Sequence, residues 1–273
     1  MKPRGWAVTD VGRKREHNED SFLCSDDLQL YAVADGMGGH LGGERASRMA
    51  AEILEREMTA RLGDRPRAEM TGDAMAQALS ESTGAASKAI FDSAQGEPNY
   101  AGMGTTLTGL CFPGASATLC HVGDSRVYLF RDGRARQLTE DHSWVQEQVR
   151  AGLVSADDVL VSRFRNIITR SVGFEPAVSP DILTLLVEAG DCFLLCSDGL
   201  CNYVSPEELG LVLSDHFYGE AGAALVNVAN ERGGDDNITC VIVYVANVLT
   251  APGVVAGATP RTTGTGGVSP DVL

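Results

Sequence analysis

Leu30-Tyr31-Ala32-Val33-Ala34-Asp35-Gly36-Met37-Gly38-Gly39 runs an unbroken apolar stretch into an aspartate and a glycine-rich turn. A short apolar run that ends in a glycine-rich turn reads as a buried strand. A carboxylate at the end of such a strand is costly unless something neutralises it, and glycine lets backbone carbonyls and water approach closely. Three further aspartates sit in glycine-containing turns beside apolar runs: Gly123-Asp124-Ser125-Arg126, Cys196-Ser197-Asp198-Gly199 and Gly233-Gly234-Asp235-Asp236-Asn237. Two carboxylates about 4 Å apart repel by roughly 4 kcal/mol at an effective dielectric near 20, a heavy load against a typical folding stability. If the four meet in space, a divalent cation is the natural neutraliser.

Working outward, strands are expected at Leu30 to Ala34, Thr105 to Phe112, Ala117 to Val122, Val127 to Arg131, Ala135 to Leu138, Asp191 to Cys196 and Ile238 to Val245, with Asp132-Gly133 as a hairpin signal. Tight turns between most of them favour antiparallel pairing. Helical period runs through Gly43 to Leu62 and through the Met75 to Ile90 stripe. Further helices are expected at Ser143 to Ala151, Ser155 to Leu160, Pro206 to Leu213 behind a Ser205 cap, and Ala221 to Arg232, which Gly233 stops. Strand runs with paired helices predict an α+β fold, helices packed outside antiparallel sheets.

The chain has 273 residues, 44% hydrophobic and 22% charged, enough for a sizeable core. Its net charge of −15 argues against a nucleic-acid or anionic-membrane partner. Seven cysteines, an odd number without a CxxC pair, read as reduced core residues. Without an apolar leader or an 18-residue apolar span, a cytoplasmic location is expected. Residues 1–248 read as one globular catalytic domain, and 249–273, rich in Gly, Pro and Thr, as a flexible tail.

Asp35, Asp198 and Asp236 bound the three strongest apolar strands, so sheet packing can gather their carboxylates at one end. An all-oxygen ligand set selects hard cations, Mg²⁺ or Mn²⁺, over Zn²⁺ or copper. Such a centre suits water attack on phosphorus. Plainer readings exist for each residue. Asp-Gly is a common turn dipeptide, Asp124 can close an Asx turn or pair with Arg126, and Arg15 can belong to a solvated basic turn with Arg13 and Lys14. His121 reads as a satisfied core residue and His142 as structural. Cys196 lacks the arginine spacing of a phosphate-cradling cysteine loop and reads as apolar core. Arg163, Arg165 and Arg170 suit either phosphopeptide contact or a solvated face.

Taken in order, Asp10-Val11-Gly12 through Arg15-Glu16-His17-Asn18-Glu19-Asp20, DGMGG at 35–39, GMGTT at 102–106, GDSR at 123–126, LTEDHS at 138–143, CSDGL at 196–200 and GGDDNIT at 233–239 resemble the metal-dependent serine/threonine protein phosphatases, the PPM family (type 2C), in their bacterial form. The resemblance covers roughly residues 5 to 245. It implies a four-layer α/β/β/α sandwich with a dinuclear Mn²⁺ or Mg²⁺ site at one end. It also implies hydrolysis of phosphoserine and phosphothreonine by a water or hydroxide activated there. By motif, Asp35 bridges both metals, the Gly36 carbonyl completes one, Asp198 and Asp236 hold the other, and Glu19 and Asp20 orient metal-bound waters. Asp124 with Asp198 matches a third, weaker metal site, and Arg15 matches the arginine that grips substrate phosphate. Met37 stands where eukaryotic relatives carry a histidine general acid. A metal-bound water, or His40, is the alternative proton source. The implied partners are phosphorylated proteins and a serine/threonine kinase of bacterial signalling, with the chain a monomer. Two rivals are an idle metal-binding module that recognises phosphoproteins and a phosphatase of an anti-anti-sigma-type regulator.

Overall fold

A computed structural model describes residues 2–153, 164 and 167–246, leaving out the side chain of His40. The expected helix at Ser155 to Leu160, Arg163, Arg165 and the 249–273 tail lie outside the described residues. In chain order the elements are β1 (Pro3–Asp10), β2 (Asp20–Ser25), β3 (Leu30–Met37), α1 (His40–Leu62), α2 (Gly72–Gly96), β4 (Gly104–Thr105), β5 (Leu107–Cys111), β6 (Ser116–Val122), β7 (Arg126–Arg131) and β8 (Arg134–Gln137). There follow α3 (Trp144–Arg150), β9 (Asp181–Leu186), β10 (Cys192–Cys196), α4 (Asp198–Cys201), α5 (Pro206–Asp215), α6 (Tyr218–Glu231) and β11 (Ile238–Val245).

Two antiparallel sheets form, in the order β1-β11-β10-β7-β8 and β2-β3-β5-β6-β9, with β4 pairing β3 beyond the end of β5. The expected sandwich is therefore present. Between the sheets, Tyr31, Val33, Leu110, Phe112, Leu129, Phe193, Val241 and Val243 interdigitate. Phe112 stands edge-on to both Tyr31 and Phe193, at ring separations of 6.0 and 5.6 Å, the offset geometry aromatic quadrupoles prefer. Helices α1 and α2 cover the second sheet, burying Ala46, Ala50, Leu54, Met58, Met75 and Leu79. Helices α5 and α6 cover the first through Leu209, Leu213, Ala221, Leu225 and Ala229. Each apolar helical stripe thus finds one sheet face, which makes four layers.

Local chemistry explains the boundaries. Asp132 and Gly133 both take positive φ, 52° and 75°, as the two-residue β7–β8 hairpin needs. Ser205 and Glu208 close a reciprocal capping box ahead of Pro206 at the start of α5. The expected strand at Thr105 to Phe112 breaks into β4 and β5 at Thr106, whose hydroxyl turns to accept from Asp35 N–H at 2.9 Å. Helix α1 begins at His40, one turn earlier than Gly43. Strands β1, β2 and β9 carried no sequence expectation. The seven cysteines are all free thiols, and burial pushes Cys111 up to about 12 and Cys120 up to about 11. Among the described residues no helix is long and apolar enough to cross a membrane.

Candidate metal centre and phosphate cleft

One end of the sandwich opens into a cleft of about 320 Å³, lined by Arg15, Glu19, Asp35, Gly36, Met37, Gly38, Gly39, Asp124, Asp198 and Asp236 among others. Asp35 lies near the end of β3, Asp124 in the β6–β7 turn, Asp198 at the start of α4 directly after β10, and Asp236 just before β11. Because β10 pairs β11 and β2 pairs β3, each sheet delivers its acids to the same mouth. Asp20 is not in the lining. It is the cross-strand partner of Asp35, buried beneath, where its Oδ2 accepts from Ser197 Oγ at 2.8 Å.

Supporting side chains fix this arrangement. Asp35 gives its N–H to Thr106 Oγ1, while its carbonyl accepts from Thr106 N–H and Thr105 Oγ1, each at 2.9 Å. Asn237 is a hub: its Oδ1 accepts from Glu19 N–H at 2.8 Å, and its Nδ2 donates to the carbonyls of Val11 at 3.0 Å and His17 at 2.9 Å. This locks the 11–19 loop to the Asp236 turn. Two close approaches demand glycine. A Cβ on Gly36 would lie 2.1 Å from the Gly43 carbonyl oxygen, and one on Gly199 would lie 2.0 Å from the Asn237 carbonyl oxygen. The sequence reading did not single out Thr105, Thr106, Ser197 or Asn237. Their signal was two threonines and a serine at the ends of apolar strands, and an asparagine directly after Asp236.

The electrostatics are those of crowded acids. Burial, and then the charges of Asp20, Asp198, Asp124 and Asp236, hold the Asp35 carboxyl well above the carboxylate range. Burial is also the main cause that pushes Asp20 and Asp124 up to about 7, with Asp198 adding to both. Asp20 Oδ1 and Asp124 Oδ1 are buried without a hydrogen-bond partner. Among the described residues, no three or more His, Cys, Asp or Glu side chains stand close enough together to hold a metal ion as they are placed; the acids line the cleft wall instead. Buried carboxylate oxygens without donors, crowding that raises proton affinity, and an all-oxygen donor set together fit hard divalent cations.

The basic groups sort themselves. Arg15 Nη2 meets Asp236 Oδ2 at 2.7 Å, and Lys14 Nζ meets Asp235 Oδ1 at 2.7 Å. Arg126 does not pair with Asp124; its guanidinium binds Asp141 through Nε and Nη2, at 2.8 and 2.6 Å for the shorter contacts. Arg170 pairs with Asp181. Met37 lines the cleft and carries no dissociable proton, and the His40 side chain is outside the described set. Cys196 is fully buried in β10, so no thiol nucleophile faces the cleft from that position.

His121 is buried beside the site. Its Nε2–H donates to the Glu140 carbonyl at 3.0 Å, and its Nδ1 accepts from the Thr108 hydroxyl at 2.9 Å. Burial, then the nearby His142, lowers its pKa from 6.5 to about 4. A histidine depressed in the folded state contributes stability above its unfolded pKa and loses it as pH falls. Between pH 6.5 and 4 the native state should therefore lose about 3 kcal/mol through this residue. Denaturant midpoints measured across that range should fall less steeply in His121→Gln, which cannot be protonated.

The chain is similar to proteins of known family. The model of the family described as Protein phosphatase 2C matches residues 11–241. A serine/threonine phosphatase, Stp, of Listeria monocytogenes is 38% identical over 242 residues, covering 86% of this chain and 93% of that protein. The serine/threonine protein phosphatase PstP of Mycobacterium tuberculosis is also 38% identical over 242 residues, covering 88% of this chain and 45% of PstP. A crystal structure of the M. tuberculosis phosphatase superposes with a TM-score of 0.81 at 34% identity, over 90% of this chain and all of that one. The PstP catalytic domain in complex with two manganese ions gives 0.77 at 35% identity, over 90% of this chain and 99% of that one.

Proposed function

Because the chain belongs to the protein phosphatase 2C family, in its bacterial form, we propose that it removes phosphate from phosphoserine and phosphothreonine in proteins at a dinuclear Mn²⁺ or Mg²⁺ centre. One observation carries this reading: Asp35, Asp198 and Asp236 share a single cleft with an arginine suited to phosphate. Asp35, the Gly36 carbonyl, Asp198 and Asp236 would hold the two cations, and Asp124 with Asp198 a third. Bound there, the cations supply Lewis-acid neutralisation of phosphoryl oxygens and lower the pKa of water enough to make it a nucleophile at neutral pH.

The chain's own residues do the rest. Glu19, whose N–H is anchored by Asn237, lines the cleft and orients water through its carboxylate, whereas Asp20, held by Ser197 beneath the lining, backs Asp35 rather than reaching that water. Arg15 presents a planar fork to the phosphate oxygens, a geometry an ammonium does not reproduce. Met37 gives an apolar wall and no proton, so the leaving alkoxide must take its proton from another group. The substrates are phosphorylated proteins, and the opposing activity is that of a serine/threonine kinase. The comparison of a phosphothreonine peptide with the same peptide carrying phosphotyrosine, both with Mn²⁺, tests the specificity. Faster turnover of the phosphothreonine peptide is expected, and preference for phosphotyrosine would overturn it.

A stability effect follows from the crowded acids. Adding Mn²⁺ at about 100 times its Kd should stabilise the protein by roughly 2.7 kcal/mol, or several degrees in Tm for a domain this size. Equal melting temperatures with Mn²⁺ and with chelator would contradict cation binding in the cleft.

A further inference from the structure

Gly123, the residue before Asp124, has both backbone groups held by one side of the molecule. Its carbonyl accepts from His142 N–H at 2.7 Å, and its N–H donates to His142 Nδ1 at 3.1 Å. Since Nδ1 accepts, the ring proton sits on Nε2, which faces Asp181 Oδ2 at 3.2 Å. The other Asp181 oxygen accepts from Arg170 Nη1 at 2.6 Å. The His142 carbonyl takes the Thr169 N–H at 2.9 Å, and the next residue, Ser143, bridges to Ile168, which lines the cleft. The His121 ring, 4.7 Å away between centroids, closes the remaining side.

Asp124 Oδ1 receives no hydrogen bond from the protein. The backbone hydrogen bond the carboxyl does make is to Asp124's own backbone, so its aim follows the peptide it hangs from, and that peptide is held by His142. A histidine present only to fill space has no need of reciprocal bonds to a single glycine. We propose that His142 is a positioning residue for Asp124, and that Asp181 and Arg170 tie the aim of the Asp124 carboxylate to the docking of residues 167–170 beside the cleft. The inference rests on the reading of Asp124 as a cation ligand. It adds a residue acting one shell out, where losing the partner of a ligand typically costs about 10–100-fold in metal affinity.

The test is calorimetric titration of Mn²⁺ into the full chain without substrate, with melting curves alongside. Asp124→Asn should abolish the weakest Mn²⁺ event. His142→Ala should weaken that event about tenfold and leave the tighter ones within about threefold. His142→Asn, whose Oδ1 stands where Nδ1 stood, should restore it, and Asp181→Ala should give an intermediate loss. If Asp124→Asn removes the weak event while His142→Ala leaves it unchanged, positioning by His142 is overturned. Equal weakening in His142→Ala and His142→Asn, in step with lower Tm, would mean a purely structural ring and overturn it too. A weak event untouched by Asp124→Asn would remove the ligand reading and this inference with it.

Discussion

Asp35→Asn is expected to lower kcat/KM for a phosphothreonine peptide by roughly 10³-fold or more, about 4 kcal/mol of transition-state stabilisation, while raising the Tm of the chelator-treated protein. The two effects have opposite signs because one carboxylate causes both. Asp35 stands half-buried opposite Asp20 in the strand register and feels Asp198, Asp124 and Asp236 as well. In the cation-free protein it must either stay charged among like charges or take up a proton far above its ordinary pKa, and both states cost free energy. Asparagine avoids both at nearly equal volume, and its backbone bonds to Thr105 and Thr106 are untouched. Each kcal/mol relieved is worth about 2–4 °C in a domain of this size. With Mn²⁺ present the advantage should vanish, since the variant has lost a ligand. Paired melting curves and peptide assays decide it. A variant that is both inactive and less stable in chelator would show that the acids do not repel one another there.

Arg15→Ala should cost about 10²-fold in kcat/KM, for a small aryl phosphate as well as for the peptide, because the lost contact is to the phosphate they share. Arg15→Lys should recover only part of this, since an ammonium lacks the planar fork. The Ki for inorganic phosphate should rise in both variants. In the structure Arg15 also bonds Asp236, so displacement of that ligand is the competing explanation for the loss. Lys14 and Asp235, an equally short pair on the same two loops, supply the control. Lys14→Ala removes a neighbouring loop–loop ion pair outside the cleft lining and should leave kcat/KM within about threefold, as exposed pairs contribute little. A loss below threefold for Arg15→Ala would remove Arg15 from phosphate binding.

The central strands and the main helices were legible in the sequence, because β3, β6, β7, β10 and β11 are buried apolar runs and α1, α2, α5 and α6 carry one apolar stripe each. The three strands that escaped, β1, β2 and β9, are all at the edges of their sheets. Edge strands have a wet side, so Arg4, Asp181 and Thr184 interrupt the apolar pattern of β1 and β9 without penalty, while the buried Asp20 breaks that of β2 at its first residue. The fourth edge strand, β8, was legible through its Asp132-Gly133 turn. Missing β2 had a direct consequence for the site: nothing in the linear sequence sets Asp20 across from Asp35, and the strongest carboxylate crowding arises from that pairing.

The acids that line the cleft were legible as candidates because a charged group against an apolar run is conspicuous in one dimension. Their supports were not. Thr106, Ser197 and Asn237 act through backbone groups distant in sequence, such as Thr106 on Asp35 or Asn237 on Val11 and His17, and only the packed sheets reveal those partners. Arg126 went the other way. Its spacing allowed a pair with Asp124, yet the fold gives it a bidentate partner in Asp141, which leaves Asp124 for the cleft.

Phosphate release from a phosphothreonine peptide by chelator-treated protein, before and after Mn²⁺ is restored, tests the account most directly. Turnover should fall to background in chelator and return on addition of Mn²⁺ with a concentration dependence that Asp236→Asn shifts or abolishes. Turnover that persists unchanged in chelator would contradict a cation-dependent phosphatase built on Asp35, Asp198 and Asp236.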